Sequence, residues 1–542
     1  MSLLLKSLKS PKALLVLFVL GTLVRMIHIA EPPLDFHPVR QYIGASVTRA
    51  YYAQMGGIED PLLKETAIVT LERQELFEPQ ILPGLSALVW KMAGNEVLWF
   101  QRVFSVIAWL LGGIALQRIA RRFWNLEYAN LTFLVFAFMP FSIICSRVIQ
   151  PDPFMVALML WAMERTYAYW ERPSGRRLAV VFVFAAASVM VKPMSIFMIW
   201  ALFASKPFFE GGIRAVVRNS GLWGLTLVMV APNVLWYLNA HSKNSIVADQ
   251  GEMSFLFKIF IDPYYYANWL KMVGRNIGFL PGLLILWMSV KAQGQDFRRF
   301  VQAFVFSYFC YAIVFHYHIA THGYYSIMLI PLAAVACAGG LKEWLSFYRS
   351  GHFQPMSLKK TIPIVLVLCL FYSAFVATRG GTRTSVSLKA GIEALALNVG
   401  VSKKIYLWVS QTSEKNNQAV TLLEKIGETV NHSSRVWMLT DDFSKTLIFH
   451  GQMEGYVWLS HERILMKEYR EGSEVDKIAY FEEQQAIRNC EYFVVTKMDE
   501  LEKSADLLDF LRENYSVVEL DSEALIFDLR VNSEKQVASH DR

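Results

Sequence analysis

Charge is what this sequence has least of. Asp, Glu, Lys and Arg make up 18% of its 542 residues, where an ordinary soluble domain has about 25%. The shortage is uneven: residues 1–380 hold long apolar runs, while 381–542 have the composition of a soluble domain. Cysteine is scarce as well. Cys145, Cys310, Cys337 and Cys369 lie inside apolar segments and Cys490 stands alone in the polar tail. Their spacing fits neither a disulfide framework nor a zinc site, so they read as small buried hydrophobes. Walker A, HExxH and GxSxG patterns are all missing, which removes the usual signals of nucleotide, zinc-peptidase and serine-hydrolase chemistry. The net charge of +7 is not gathered into a basic run, and no nucleic-acid motif accompanies it, so a nucleic-acid partner is excluded.

What the chain has instead is apolar length. A membrane-spanning helix needs about 20 apolar residues. Spans are expected near 12–30, 99–118, 129–148, 153–170, 178–191, 193–205, 221–239, 277–290, 301–316, 324–344 and 361–378, eleven in all. The 178–191 and 193–205 segments are short and meet at Lys192-Pro193. The first span runs from Ala13 to Ala30; this is longer than the apolar part of a signal peptide, so it reads as a retained anchor.

Loop charges give the spans a direction. With Lys6, Lys9 and Lys12 on the cytoplasmic side, the clusters Arg118/Arg121/Arg122, Arg172/Arg176/Arg177, Lys206/Arg214/Arg218, Lys291/Arg298/Arg299 and Lys359/Lys360 fall on that side too. The alternation requires 80–93 to be an interfacial helix and not a span. The expectation is a polytopic α-helical membrane domain over 1–380, then a soluble extracytoplasmic α/β domain over 381–542. An enzyme on that outer face has no ATP and needs a substrate activated beforehand.

Polar residues at membrane depth are costly and mark function. Four outer-face clusters stand out. The first is Glu31-Pro-Pro-Leu-Asp35-Phe-His37-Pro-Val-Arg40-Gln41, where prolines stiffen the exit from the first span. Asp35 there is either a general base toward a hydroxyl or amine or a solvated loop acid. The second is Arg147-Val-Ile-Gln150-Pro-Asp152-Pro153; Asp152 suits an N-cap, a role compatible with a functional one. The third is Lys192, which either snorkels or meets a phosphate as a point charge. The fourth is His316-Tyr-His318-Ile-Ala-Thr-His322-Gly-Tyr324-Tyr325. Three histidines there allow a divalent metal, but the spacing splits His316 and His318 between helix faces. Phosphate or sugar contact by His322, Tyr324 and Tyr325 is the competing reading, and tyrosine is common at membrane interfaces anyway. Glu78, before Pro79, and Arg102 are further candidates, for the site or for interfacial anchoring.

In order and spacing these segments resemble the GT-C glycosyltransferases, and most of all the bacterial relatives of protein O-mannosyltransferases and of the lipid A aminoarabinose transferase. The likeness covers most of 1–345: Asp35 with Arg40 and Gln41; Glu78-Pro79 through Gly94 to Arg102; Arg147 to Asp152; Lys192-Pro193; and His322, Tyr324, Tyr325 and Pro331. The resemblance implies an inverting hexosyl or pentosyl transferase of the bacterial inner membrane, working on the periplasmic face. The donor would be a polyprenyl-phosphate sugar and the acceptor a lipid, glycan or protein. Asp35 would be the base, and Arg40, Gln41, Arg147, Lys192, His322, Tyr324 and Tyr325 would hold the donor phosphate and substrate. Relatives often carry a second acid where this chain has His37, so that role falls to Glu78, to Asp152 or to neither.

The tail alternates short strands (403–411, 435–440, 490–496, 516–520, 524–529) with helices (412–430, 473–488, 498–514), the pattern of a small α/β domain. It either selects the acceptor or caps the membrane domain. A lipid-linked glycan flippase is the alternative function, and a noncatalytic scaffold a third. A flippase needs polar residues through the middle of its spans, whereas here they gather at the outer ends.

Overall fold

A computed structural model describes residues 6–532, apart from 75, 77, 242–256, 293, 350–354, 384, 404, 406–407, 409–412, 472–473 and 521–522. The chain folds into two compact units. One comprises Met1–Ile29, Glu75–Ile81 and Trp99–Ser410; the other comprises Ala30–Gln74, Leu82–Leu98 and Gln411–Arg542. Composition divides the chain at 380/381, whereas compactness divides it at 410/411 and gathers most of the first loop with the tail.

The first unit is helical. Each of the eleven expected spans is built largely of helix, among them Lys12–Met26, Leu98–Phe123, Asp152–Glu171, Gly175–Val191, Ser220–His241, Gln295–Val314 and Pro355–Ala377. Among the described residues four helices are long and apolar enough to cross a membrane: Leu98–Phe123, Pro193–Val217, Ser220–Asn239 and Leu329–Ser346. Pro263–Ile277 and Phe279–Lys291 meet at 93° and would add a fifth as one broken span. Their corner is Gly278, at φ +88°, where a Cβ would lie 2.9 Å from the Gly400 amide nitrogen; only glycine fits both demands.

The expected span 129–148 is interrupted. Leu126–Phe138 ends at Met139, which turns extended (φ −55°, ψ 136°) ahead of Pro140, and a second helix, Pro140–Cys145, follows. Proline removes one donor and pushes the residue before it out of the helical region, so carbonyls are released inside an apolar bundle. Arg25 takes them up. Its guanidinium is fully buried and donates to Gly21 O at 2.9 Å, Ala137 O at 2.7 Å, Ser142 O at 3.3 Å and Ser146 Oγ at 2.6 Å.

Arginines of opposite duty mark the far end of the same helices. Glu164 is buried and pairs with Arg118 at 3.2 Å, Arg122 at 3.0 Å and Arg165, while Arg122 also reaches Glu171 at 2.7 Å. The ends of Leu98–Phe123 and Asp152–Glu171 are thereby tied side by side, and their starts share the opposite end of the bundle.

The second unit is built on a five-stranded sheet of order β2-β1-β3-β5-β4. Its strands are β1 (Val436–Leu439), β2 (Gly455–Val457), β3 (Tyr492–Val495), β4 (Tyr515–Leu520) and β5 (Ala524–Asn532). β1 pairs in parallel with β2 and β3, and β5 runs antiparallel to β3 and β4. Side chains alternate across it. Val436 and Met438 pack with Ile426, Val430 and Ile448, whereas Trp437 and Leu439 pack with Phe481, Leu507 and Leu511. Four expected strands are present. The short β2 was not anticipated, and the strand expected over 403–411 falls largely outside the described residues.

Helices of the first loop pack on this domain. Pro38–Gln54 brings Tyr42 and Ala45 against Phe449. Tyr42 Oη lies 2.8 Å from His450 Nε2. Thr66 donates to His432 O at 3.2 Å and Arg73 to Ser434 O at 2.8 Å. Arg49 does most. It forms a two-pronged pair with Glu96 at 2.7 Å on each side, donates to Phe449 O, and stacks 3.8 Å over the Phe449 ring.

Two outcomes are expected. Arg49→Met keeps the stem but drops the fork and leaves the Phe449 carbonyl unmet, a loss of about 2–3 kcal/mol. The tail of the full-length protein in detergent should then be cleaved faster by protease, and Arg49→Lys should recover only part, since an ammonium cannot span both partners; cleavage at the wild-type rate would remove the anchoring role. Burial, and then Arg49, lowers the His450 pKa from 6.5 to about 4. The folded unit therefore favours the neutral ring. Its contribution, on the order of 3 kcal/mol at most, is complete above about pH 6.5 and is lost as pH falls toward about 4. His450→Gln should flatten the pH dependence of tail proteolysis across that window.

Candidate functional site

In the helical unit the polar residues gather at the end where Leu98–Phe123 and Asp152–Glu171 begin. Asp152 is the first residue of its helix; the capping position is Pro151, which makes no side-chain cap bond. The N-cap expected at Asp152 is thus displaced by one residue. Its carboxylate sits in the first turn, where the helix dipole favours negative charge, and accepts from Lys192 Nζ at 2.8 Å.

Lys192 owes its position to a helix break. Gly175–Val191 stops before Pro193, leaving Lys192 extended (φ −159°, ψ 121°). Its amide still donates to Ser188 O at 3.0 Å, and Ser188 Oγ bridges Met155 O at 3.0 Å and Ser195 Oγ at 2.9 Å. Only 2% of Lys192 and 3% of Asp152 is exposed, so the lysine does not snorkel. Its ammonium lies 4.8 Å from the Tyr324 ring centroid and 5.0 Å from that of Tyr325, within cation–π range. One carboxylate and two aromatic faces therefore surround one buried positive charge.

The tyrosines are fixed from behind. Tyr311 Oη donates to Tyr325 O at 3.0 Å, and His318 stacks on Tyr325 at 4.8 Å and 9°. His322 ends the short helix His316–Thr321, its Nδ1 2.7 Å from Thr321 Oγ1. His316 turns Nδ1 to Ile313 O at 3.0 Å and packs on Phe260. The His318 pKa is pushed down to about 4, first by burial and then by His322, Lys192 and His316, so at neutral pH its ring is uncharged. His318 and His322 share the ring of Tyr325, at 4.8 and 6.0 Å between centroids. Among the described residues no three His, Cys, Asp or Glu side chains are placed to hold one metal ion.

Arg147 and Arg102 lie at the same end but address backbone. Arg147 donates from Nε to Arg25 O at 3.2 Å and from Nη2 to Ile27 O at 2.6 Å, and its guanidinium stacks 5.4 Å from Trp408. Arg102 donates to Arg147 O at 3.0 Å and Ile29 O at 3.2 Å. Glu78 belongs to this unit too; it is half-buried, and its carbonyl accepts from Gln80 at 2.5 Å. Sequence reasoning passed over Arg275 and Asn276, on the Pro263–Ile277 helix. Asn276 donates to Gly323 O at 2.6 Å, and a Cβ on Gly323 would stand 3.6 Å from Arg275 Cζ. A half-buried arginine thus abuts the His322–Tyr325 turn. Its one sequence signal was a cation one helical turn before a helix-breaking Gly278.

Asp35, Arg40 and Gln41 belong to the other unit. Asp35 is 4% exposed and Gln41 wholly buried. Gln41 Nε2 donates to Phe36 O at 2.7 Å and Pro33 O at 3.1 Å, with Asp35 Oδ1 at 3.5 Å. Next to them His37 caps the helix in the left-handed region (φ 47°), although it precedes Pro38, which ordinarily favours extended backbone. Such backbone strain concentrates at functional sites. Asp35 is therefore a buried carboxylate in a stiff turn, and the reading of it as a solvated loop acid is set aside. Arg40, half-buried, opens the same helix.

Comparison with known proteins follows this division. Residues 78–236, which include Asp152 and Lys192, match the family model of dolichyl-phosphate-mannose-protein mannosyltransferase. No curated protein sequence matches the chain. Among solved structures, ArnT from Cupriavidus metallidurans bound to undecaprenyl phosphate is similar at a TM-score of 0.56 and 13% identity, over 96% of this chain and 98% of that one. Its apo state gives 0.56 at 15% identity, over 95% and 97%. An oligosaccharyltransferase from Archaeoglobus fulgidus is more distant, at 0.49 and 12% identity, over 98% of this chain and 75% of that one. The chain therefore has a fold similar to that of ArnT, and its 78–236 segment is similar in sequence to the dolichyl-phosphate-mannose-protein mannosyltransferase family.

Proposed function

We propose that the chain transfers a sugar from a polyprenyl-phosphate-linked donor to an acceptor on the extracytoplasmic face of a bacterial inner membrane. The observation that carries this reading is the buried Lys192 ammonium, held between Asp152 and the faces of Tyr324 and Tyr325. It lies within the segment similar to mannosyltransferases, in a fold whose ArnT representative is bound to undecaprenyl phosphate.

In the proposed reaction the acceptor oxygen or nitrogen attacks the anomeric carbon. The carbon–oxygen bond to the lipid phosphate breaks, and that phosphate leaves with the electron pair. Asp35 takes the acceptor's proton. Attack opposite the leaving group inverts the sugar's configuration. Negative charge develops on the departing phosphate, so the site needs a fixed cation more than an acid. Lys192 is that cation, with Arg275 abutting the same turn. Asp152 positions Lys192, and the His318 ring stacks on Tyr325, one of the two faces against the ammonium. Arg40, His322 and Tyr324 complete the proposed set for donor and sugar. Arg147 and Gln41 act through the backbone they hold. The tail belongs to the unit that carries Asp35, and in this reading it shapes the entry of the acceptor.

The deciding experiment supplies radiolabelled polyprenyl-phosphate sugars and membrane extract to the protein in liposomes. Asp35→Asn should retain fold and donor but lose turnover on the order of 10²–10⁴-fold; wild-type turnover would sink the base assignment. Lys192→Met should abolish donor retention and destabilise the helical unit, since it strands a buried carboxylate at a cost of about 3–5 kcal/mol. The Lys192→Met/Asp152→Asn pair should restore thermal stability without restoring transfer. Restored transfer would mean that the ion pair serves the fold alone.

A further inference from the structure

A second concavity lies in the helical unit, away from Lys192. The helices Ile196–Val217 and Gln295–Val314 diverge around a cavity of about 440 Å³ lined by Trp200, Phe208, Phe209, Ile213, Gln302 and Phe306, among others. That is the size of a small-molecule site, yet its lining is almost wholly apolar. Phe306 and Ile213 are 63% and 69% exposed, so the cavity opens toward the surroundings of the bundle. A break at Gly211 (φ −153°) and Gly212 (φ 65°) interrupts the first helix inside the lining stretch.

Basic residues beside the lining outnumber acidic ones, five (Lys206, Arg214, Arg218, Arg298, Arg299) to two (Glu210, Asp296). Lys206, Arg214 and Arg218 flank the lining residues of the broken helix, and the last two are exposed. Arg298 and Arg299 stand one turn before Gln302 and Ala303. Arg299 is only 6% exposed; its Nη groups reach Glu210 at 3.7 Å and Asp296 at 3.4 Å. Its Nε is a buried donor with no acceptor among the described residues, and its guanidinium lies 6.0 Å from the ring of Phe209, a lining residue. A donor buried at such a cost ordinarily has a partner.

We propose that this cavity holds one acyl chain of an anionic phospholipid whose phosphate is received by Arg299, Arg214 and Arg218. The apolar lining takes the chain, and the basic residues beside it select the charge. Basic pockets between membrane helices recognise anionic headgroups in this way. The site is independent of the donor: it lies toward the far end of the Ile196–Val217 helix from Lys192, and none of its residues belongs to the proposed machinery.

The test uses the full-length protein in detergent, with retained lipid measured by native mass spectrometry against an equimolar mixture of phosphatidylglycerol and phosphatidylcholine. Wild type should retain phosphatidylglycerol about tenfold over phosphatidylcholine. The exposed pair Arg214→Gln/Arg218→Gln should bring the two close to equal, and Ala303→Trp, filling the cavity, should lose both. Should Ala303→Trp fail to fold, the arginine pair still decides. Equal retention by wild type, or an unchanged preference in the arginine pair, overturns the proposal. So does one-for-one displacement of phosphatidylglycerol by undecaprenyl phosphate, which would make the cavity the donor's own.

Discussion

A helix that breaks inside an apolar bundle releases carbonyls that no water can reach, and each one left unmet costs free energy. In the helical unit three arginines meet this demand at one end. Arg25 serves carbonyls of Gly21, Ala137 and Ser142; Arg147 serves Arg25 and Ile27; Arg102 serves Ile29 and Arg147. They form a chain in which Arg102 holds the carbonyl of Arg147 and Arg147 holds that of Arg25. Without it the break at Met139 and the turn leading to Asp152 would have no way to stay dry. The proposed site is possible because irregular backbone is affordable there.

The same logic runs through the charged pairs. Lys192 and Asp152 are both desolvated, and such a pair is weak evidence for stability, because desolvation offsets much of the attraction. Glu164 at the other end is equally buried but is surrounded by three arginines, which is what a stabilising network looks like. Lys192 has one carboxylate and two ring faces instead. Among the described residues its ammonium has one carboxylate as a hydrogen-bond acceptor, a condition that suits a ligand phosphate better than it suits the fold.

Much of this was legible in the sequence. Apolar length placed helices at all eleven expected spans, and the basic clusters Arg118/Arg122 and Arg172/Arg176/Arg177 fell at one end of the bundle because positive residues stay where water is. The Lys-Pro break and the Tyr324-Tyr325 turn were visible as motifs, and four tail strands as alternation. What was missed shares one cause: it depends on partners far away in the chain. No local pattern shows that Arg147 holds the carbonyl of Arg25, 122 residues earlier. Arg275 stands out only once its helix meets the His322–Tyr325 turn at Gly323. β2 is three residues long and exists because β1 offers it an edge, which no local pattern records.

The largest surprise is the company Asp35 keeps. In sequence it follows the first span; in structure it belongs with residues more than 375 positions away. Tyr42, Arg49, Thr66 and Arg73 each reach main chain or side chains between His432 and Tyr456, so the stiff turn carrying Asp35 begins a helix clamped to the tail. Removing the tail would strip the partner from the helix that the turn at His37 starts. The candidate base and the candidate cation are housed in different compact units. Each unit solves its own burial problem, one with Arg49 and the other with Arg25, Arg102 and Arg147. The two halves of the proposed chemistry therefore answer to different substitutions, at Asp35 in one unit and at Lys192 in the other.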